Sequence, residues 1–269
     1  MSEPKVTRTL LRGLTVLECF ADTNLSNGMS LADVSSTSGL DKATCLRLLT
    51  TLRVAGYLHR DEVTGLYSLT SRLWKLSQGI SQHAWLIDVA RPHLLATRDR
   101  FGEAVHLGVM EDQQIVYIDK LDTNQQVQLV SAVGQSMPLN TTALGKALMA
   151  HLTGADAKRI ERFKSGFERR TERSIVDVGA MAAELRLTND RGYSIDDNEN
   201  QIGVVCIGAL IRTIDDGPVA AVSISGPEFR MRDRIGDIGA WAREMVQRIA
   251  DDLAIATNPA ASAASNVAR

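Results

Sequence analysis

Hydroxyl, thiol, carboxylate and imidazole side chains occur throughout the sequence, and their spacing decides whether they could form a catalytic site. No histidine lies in the stretch that carries Asp196, Ser223 and Ser225, and no GxSxG elbow surrounds the two serines. His106 and His151 could approach this stretch only through folding. The GxGxxG, GxxxxGKS/T and HExxH patterns are absent as well. We therefore expect that the protein is not an enzyme.

The cysteines offer no metal chemistry. Cys19, Cys45 and Cys206 are far apart in sequence and form neither a CxxC pair nor a Cys/His cluster at zinc spacing. We expect no metal, no cofactor and a reducing compartment. The sequence also shows no secretory signal and no run of ~20 apolar residues that could span a bilayer. These features predict a cytoplasmic protein without a membrane partner.

A cationic helix face is the strongest chemical signal near the beginning of the chain. Ser30 and Asp41 each precede an apolar-periodic run and can cap a helix, and Gly39 separates the two runs. In the second run, Cys45, Leu48, Leu49 and Leu52 fall at i, i+3, i+4 and i+7 and predict a buried stripe. The outer face then consists of Lys42, Ala43, Leu46, Arg47 and Thr50.

Two short helices separated by a glycine turn, the second with a basic outer face, are typical of a helix-turn-helix. The following YLHRDEVTGLYSLT predicts a β-hairpin wing around a turn at residues 62–65. Together they predict binding to double-stranded DNA. Arg47 is suited to a guanine edge or a phosphate, and Lys42 to the phosphate backbone. Supporting contacts are expected from Thr44 and Thr50, and from Arg60, Thr64 and His59 on the wing.

Each of these side chains has a simpler alternative. A single Lys or Arg on a helix face is often just solvated, the wing residues could belong to a solvated hairpin, and Thr44 could pack against the preceding helix. Charge gives weak support for DNA: residues 1–75 carry nine Lys or Arg against seven Asp or Glu, a net of +2, whereas the whole chain has a net charge of −2.

The 269 residues suit two unequal domains. After a helical stretch at 71–101, with Pro92 in the first turn of a helix or at a kink, the pattern changes to mixed strands and helices. Strands are predicted at 104–110, 114–121, 126–133, 192–196, 206–212 and 219–225, and helices at 142–152, 155–163, 178–190 and 235–253. This pattern predicts an α+β domain. The small, polar tail from Ala256 predicts disorder.

Three segments resemble the IclR family of bacterial transcriptional regulators: LDKATCLRLLTTLRVAGYL, PLNTTALGKALMA, and RGYSIDDNENQIGVVCIGALIR running into VAAVSISGP. The resemblance implies a winged helix-turn-helix at 1–70, a linker helix at 71–84 and a GAF-like α/β sensor domain at 85–255, ahead of the disordered tail that composition predicts at 256–269. It also implies a homodimer or a dimer of dimers, and a small, usually acidic, metabolite as effector. Asn140 and Thr141 depart from the family pattern, as does the apolar Leu46.

The family's effector-contacting positions correspond here to Asp196, Cys206, Ser223 and Ser225, and to the backbone around Ala143 and Leu144. Gly134 and Met137, just upstream of Pro138, are expected to line the same pocket. Free amides at a helix start favour an anion, and hydroxyls of alternate strand residues point to one face. The alternatives are that Cys206 is buried apolar filling, as such cysteines more often are, that Met137 is ordinary core, and that the serines are ordinary strand residues.

The sequence therefore predicts a ligand-responsive regulator, a repressor of catabolic genes that a small organic acid releases from its operator. A sensor that binds another protein instead of DNA is the alternative.

Overall fold

The computed structural model describes residues 6–21, 28–77, 83–212 and 218–257, and the chain divides into two compact units, Met1–Gln82 and His83–Arg269. The predicted linker segment 71–84 includes a helix at Ser71–Ser77, and the division between units follows at residue 82. Of the predicted disordered tail, Ala256 and Thr257 continue the last helix. The rest of that tail lies outside the described residues.

The N-terminal unit forms its helices where local signals place them. Ser30 and Asp33 form a reciprocal capping box, in which the Ser30 hydroxyl accepts from the Asp33 amide at 3.2 Å and the Asp33 carboxylate from the Ser30 amide at 3.0 Å. Gly39 ends that helix with φ +68°. The elements are α1 (Arg8–Glu18) with a 3₁₀ turn (Cys19–Ala21), α2 (Leu31–Ser38), α3 (Lys42–Val54), β1 (Leu58–Arg60), β2 (Tyr67–Leu69) and α4 (Ser71–Ser77).

Helices α1 to α3 and the antiparallel β1–β2 hairpin share one small core. Cys45 and Leu49 are fully buried in it, and Leu48 and Leu52 pack against it from partly buried positions. The buried stripe of α3 therefore turns its opposite face outward. This arrangement confirms the predicted winged helix-turn-helix.

The C-terminal unit is built on one six-stranded antiparallel sheet with the strand order β5-β4-β3-β8-β7-β6. Its strands are β3 (Ala104–Glu111), β4 (Gln114–Leu121), β5 (Ser136–Pro138), β6 (Ser194–Asp197), β7 (Val204–Arg212) and β8 (Pro218–Pro227). Its helices are α5 (Ala84–Phe101), α6 (Ala143–Thr153), α7 (Ala157–Ile160), α8 (Val178–Arg191), α9 (Glu228–Met231) and α10 (Ile235–Thr257). The predicted α+β class is confirmed.

Each face of the sheet packs against helices. On one face, Val105, Leu107 and Val222 join residues of α5 and α10 in a large apolar cluster. On the other, Ile115 and Tyr117 join residues of α6 and α8. Successive strand residues alternate between the faces, so the polar residues of β3 and β8 discussed below lie on the α6 side.

One secondary-structure prediction is wrong. Segment 126–133 forms no strand: Val127, Val130 and Val133 are exposed, and the edge of β4 pairs with residues 136–138 instead. Its β-branched residues favour a strand only where a ladder partner and a half-buried surface exist. Of the two places predicted for Pro92, the first turn of a helix is excluded, because Pro92 lies in the interior of α5, which begins at Ala84. The predicted kink stays a prediction.

Candidate nucleic-acid interface and ligand site

The outer face of α3 is open to solvent in the N-terminal unit. Lys42, Ala43, Leu46, Arg47 and Thr50 are all exposed, and Leu46 is 47% accessible. Within the described part of the chain, neither the Lys42 ammonium nor the Arg47 guanidinium has a hydrogen-bond or ion-pair partner, and, backbone bonds of the helix aside, only the Arg47 carbonyl is engaged, by the Thr51 hydroxyl. The two cations that sequence reasoning assigned to DNA are therefore exposed on one side of the second helix of the helix-turn-helix.

The predicted threonine contacts already donate their hydroxyl hydrogens within the protein. Thr50 Oγ1 donates to the Leu46 carbonyl at 2.7 Å, and Thr64 Oγ1 donates to Asp61 at 2.9 Å. Thr44 bonds the α3 cap Asp41 through its amide and its hydroxyl, and these two bonds hold the pKa of Asp41 below its usual range. A threonine hydroxyl has one hydrogen, so donation to a phosphate requires each of these side chains to rotate.

The wing cation is held against the hairpin. Arg60 is exposed, its Nε donates to the Gly65 carbonyl at 3.4 Å, and its guanidinium lies 5.7 Å from the ring centroid of Tyr67. This contact orients Arg60 on the wing and leaves its charge accessible.

In the C-terminal unit, polar residues from four adjacent strands form a strip across the α6-side face of the sheet. Asp196 pairs with Cys206 and Cys206 with Ser225, while Ser223 pairs with His106 on β3. We call these five residues the polar strip. Four of them are at most 4% exposed and Cys206 is partly buried. The hydroxyl oxygens of Ser223 and Ser225 lie 3.2 Å apart, so the two serines share one face, as their spacing predicts.

Asp196 is a carboxylate in a nearly dry environment. Its Oδ1 accepts from the amides of Glu199 at 2.8 Å and Asn200 at 3.2 Å. Burial raises the pKa of Asp196 to about 6, although Lys146 and those amides act in the opposite direction. Burial, and then the Asp196 carboxylate, also raise the pKa of the Cys206 thiol, which is therefore no nucleophile at neutral pH.

The start of α6 lies directly on the sheet beside the strip. A Cβ atom on Gly208 of β7 would come within 2.6 Å of the Ala143 carbonyl group, and Ser194 Oγ donates to the Ala143 carbonyl at 2.5 Å. Gly145 is held equally closely, since a Cβ there would be 2.2 Å from the Leu139 oxygen. First-turn amides of a helix have no intrahelical acceptor, so those of Ala143 and Leu144 are suited to an anion.

The two remaining predicted contacts differ in environment. Met137 on β5 is buried, at 6% exposure. Gly134 is exposed, has φ +85°, and its amide donates to the Tyr117 carbonyl at 2.7 Å. Both therefore adjoin the β4 side of the sheet.

Sequence reasoning assigned no ligand-binding role to two sets of buried groups, one that includes His106 of the strip and one beside the strip. The rings of His106 and Tyr117 are stacked, with centroids 4.8 Å apart and planes 29° from parallel. Lys146 is fully buried, and its Nζ lies 2.5 Å from Glu199 and 3.5 Å from Glu184. The sequence signal for this buried cluster is that Lys146 lies inside the apolar run TALGKALMA. Burial raises the pKa of Glu199 to about 7 against the influence of Lys146.

The N-terminal unit is a winged helix-turn-helix with an outward cationic face, and the C-terminal unit is an α+β domain with a buried polar strip. This combination places the protein in the class of ligand-binding transcriptional regulators. Residues 9–62 match the family profile described as the IclR helix-turn-helix domain. Residues 78–254 match the one described as the bacterial transcriptional regulator IclR C-terminal domain. The chain belongs to the IclR family of bacterial transcriptional regulators.

Named relatives agree with this assignment. The transcriptional repressor IclR of Escherichia coli K12 is 29% identical over 245 residues, 90% of this chain and 88% of the relative. The DNA-binding transcriptional repressor YiaJ of the same organism is 32% identical over 254 residues, 93% of this chain and 89% of the relative. The crystal structure of Thermotoga maritima IclR gives a TM-score of 0.73 at 25% identity and covers 92% of this chain and 99% of that one. None of the described helices is long and apolar enough to cross a membrane.

Proposed function

We propose that this protein represses catabolic genes by binding operator DNA through α3 and releases the operator when a small organic acid binds the C-terminal unit. The observation that carries the proposal is the outer face of α3, where Lys42 and Arg47 are exposed and unpaired among the described residues. Cations without an internal partner are free to replace the counterions of a phosphate backbone.

On DNA, a homodimer or a dimer of dimers places two α3 helices in successive major grooves of a palindromic operator. Half-sites are then about one helical turn, or a multiple of it, apart. Arg47 contacts a guanine edge or a phosphate, and Lys42, Thr44 and Thr50 contact the backbone beside it. Arg60 and Thr64 on the wing, and the apolar Ala43 and Leu46 on α3, complete the interface.

The ligand occupies the polar strip. Its carboxylate accepts hydrogen bonds from the first-turn amides at Ala143 and Leu144 and from the hydroxyls of Ser223 and Ser225. Gly134, Met137 and Cys206 line the remaining surface. Asp196, which is largely ionised at pH 7 because its pKa is about 6, faces a hydrogen-bond donor of the ligand.

The ligand controls DNA binding only through unequal affinity for the DNA-competent and DNA-incompetent states. A coupling of about 1–3 kcal/mol is typical and changes operator affinity by roughly 5- to 150-fold. Relief of repression requires the ligand to bind the DNA-incompetent state more tightly.

The DNA contact is tested by titrating the intergenic DNA beside the protein's own gene in gel-shift assays at fixed salt. Arg47→Ala is expected to weaken binding by about 1–3 kcal/mol. Arg186→Ala is the matched control, because Arg186 is also exposed on a helix and unpaired among the described residues but lies on α8. Equal affinity of both variants and the wild type would count against the assigned face.

The ligand class is tested by a thermal-shift panel of carboxylates, since a ligand that binds the folded state raises its melting temperature. Carboxylates should raise it and amines or neutral sugars should not. Retained ligand binding with no DNA binding, together with a specific protein partner, would favour a sensor that acts through protein contacts.

A further inference from the structure

His106 is a buried imidazole with one unsatisfied nitrogen. The residue is 3% exposed, and its Nε2 lies 2.9 Å from Ser131 Oγ. Its Nδ1 is also buried and has no hydrogen-bond partner within the described part of the chain. Buried polar atoms are nearly always paired, so an orphan nitrogen of this kind needs an explanation.

The nitrogen belongs to the ligand face of the sheet. Val105 and Leu107, on either side of His106, pack into the cluster with α5 and α10, so the imidazole projects to the opposite face. There it lies across from Ser223 in the strand register and stacks on Tyr117. His106 therefore forms the β3 end of the polar strip.

The imidazole is uncharged at neutral pH. Burial, with a smaller contribution from Lys120, lowers the pKa of His106 to about 4. Lys120 is itself occupied, since its Nζ donates to the Ser131 carbonyl at 2.5 Å and pairs with Asp122 at 2.8 Å. A neutral imidazole cannot act as the counterion of a carboxylate, but it can form a hydrogen bond with an uncharged oxygen.

We propose that Nδ1 of His106 binds a second oxygen of the ligand, so that the site selects hydroxy or keto acids over plain carboxylic acids. The inference rests on the proposed function, because it assumes that an organic acid occupies the polar strip. The bond with Ser131 decides which oxygen is preferred. When Nε2 donates to Ser131, Nδ1 accepts from a hydroxyl; when Ser131 donates, Nδ1 carries the hydrogen and donates to a keto oxygen.

Two substitutions separate the two ring nitrogens. The side-chain amide of Asn can occupy the place of Nδ1, whereas the longer Gln side chain places its amide where Nε2 lies. His106→Asn therefore keeps the ligand contact and loses the bond to Ser131, and His106→Gln does the reverse. A purely structural role through Ser131 predicts the opposite order of effects.

The experiment measures affinity by calorimetry for two matched series: propionate, lactate and pyruvate, and succinate, malate and oxaloacetate. In at least one series, the wild type should bind the hydroxy or keto acid about tenfold or more tightly than the plain acid, the value of one hydrogen bond. His106→Gln should remove that preference, and His106→Asn should keep most of it. Circular dichroism checks that both variants are folded.

Each alternative result is decisive. Equal wild-type affinity for plain and oxygen-substituted acids overturns the inference without any variant and leaves the proposed function intact. A preference kept by His106→Gln and lost by His106→Asn overturns it in favour of the structural role. If none of the six acids binds, the small-acid ligand of the proposed function fails, and the inference fails with it.

Discussion

The outer face of α3 and the polar strip of the sheet both carry ionisable side chains, but in opposite environments. On α3, Lys42 and Arg47 are surrounded by water, where charges interact weakly and salt screens them. In the sheet, Asp196 and His106 are nearly inaccessible, and desolvation dominates their pKa values. The comparison teaches that salt should control the first region and pH the second. It also teaches that loss of a charge should leave stability nearly unchanged in the first region and change it in the second.

The sharpest test removes the buried cation beside the strip. Lys146→Met leaves Glu199 buried without its partner and should lower the free energy of unfolding by about 3–5 kcal/mol, measured by urea titration. Lys146→Met with Glu199→Gln should recover part of this loss, because no buried charge then lacks a partner. If Lys146→Met alone lowers the free energy of unfolding by less than about 1 kcal/mol, the buried pair is worth no more than an exposed one and the contrast between the two regions is wrong.

A steric test follows on the same helix. Gly145→Ala places a Cβ against the Leu139 backbone and should cost about 3 kcal/mol in a denaturant titration. Gly236→Ala in α10 meets no atom within 4 Å and is the matched control. That control should be neutral or up to about 1 kcal/mol more stable. Equal stability of the two variants would show that α6 can move away from the loop before it.

The strip should also make stability depend on pH. Because the pKa of Asp196 is raised from 3.8 to about 6, the folded state holds this proton more tightly than the unfolded chain does. The stabilisation is present below pH 4 and lost as pH rises through 6, with Glu199 extending the loss through about 7. Raising the pKa of Asp196 by about two corresponds to roughly 3 kcal/mol of folding free energy.

Asp196→Asn should flatten this pH dependence. The Asn carbonyl can still accept from the amides of Glu199 and Asn200, while the buried charge is gone. Unfolding titrations at pH 5 and pH 8 measure the change. The same slope in wild type and variant would assign the pH dependence to other groups.

The smallest effect is expected at the partly exposed cap of α2 in the N-terminal unit. Ser30→Ala removes the hydroxyl that accepts from the Asp33 amide and should cost about 1 kcal/mol. Ser30→Thr, which keeps a hydroxyl, should cost less. Thermal unfolding followed by circular dichroism distinguishes them, and a loss comparable to that of Lys146→Met would contradict the contrast between the two regions.

Local signals in the sequence predicted local structure well. Ser30, Gly39 and Asp41 begin and end helices as expected, because capping needs only neighbouring residues. The prediction at 126–133 was wrong because its valines favour a strand, while the pairing of β4 with 136–138 is decided by tertiary contacts.

The candidate site was predictable only in part. The shared face of Ser223 and Ser225 follows from the twofold strand period, and the fold class follows from the order of elements. Their role in ligand binding stays a prediction. Lys146 and Glu199 meet across 53 positions of sequence, and His106 meets Ser223 across more than a hundred. Such pairs depend on strand order, which periodicity does not reveal.

The strand order also has a consequence for synthesis. Two hairpins, β3–β4 and β7–β8, meet at the pairing of β3 with β8, where Ala104 faces Ser225 and Gly108 faces Ala221. During synthesis on the ribosome, the edge of β3 that pairs with β8 therefore stays unpaired until about the last fifth of the chain is made. Closing so long a loop is slow, and we expect nascent chains to expose that strand edge and to depend on chaperones until translation ends.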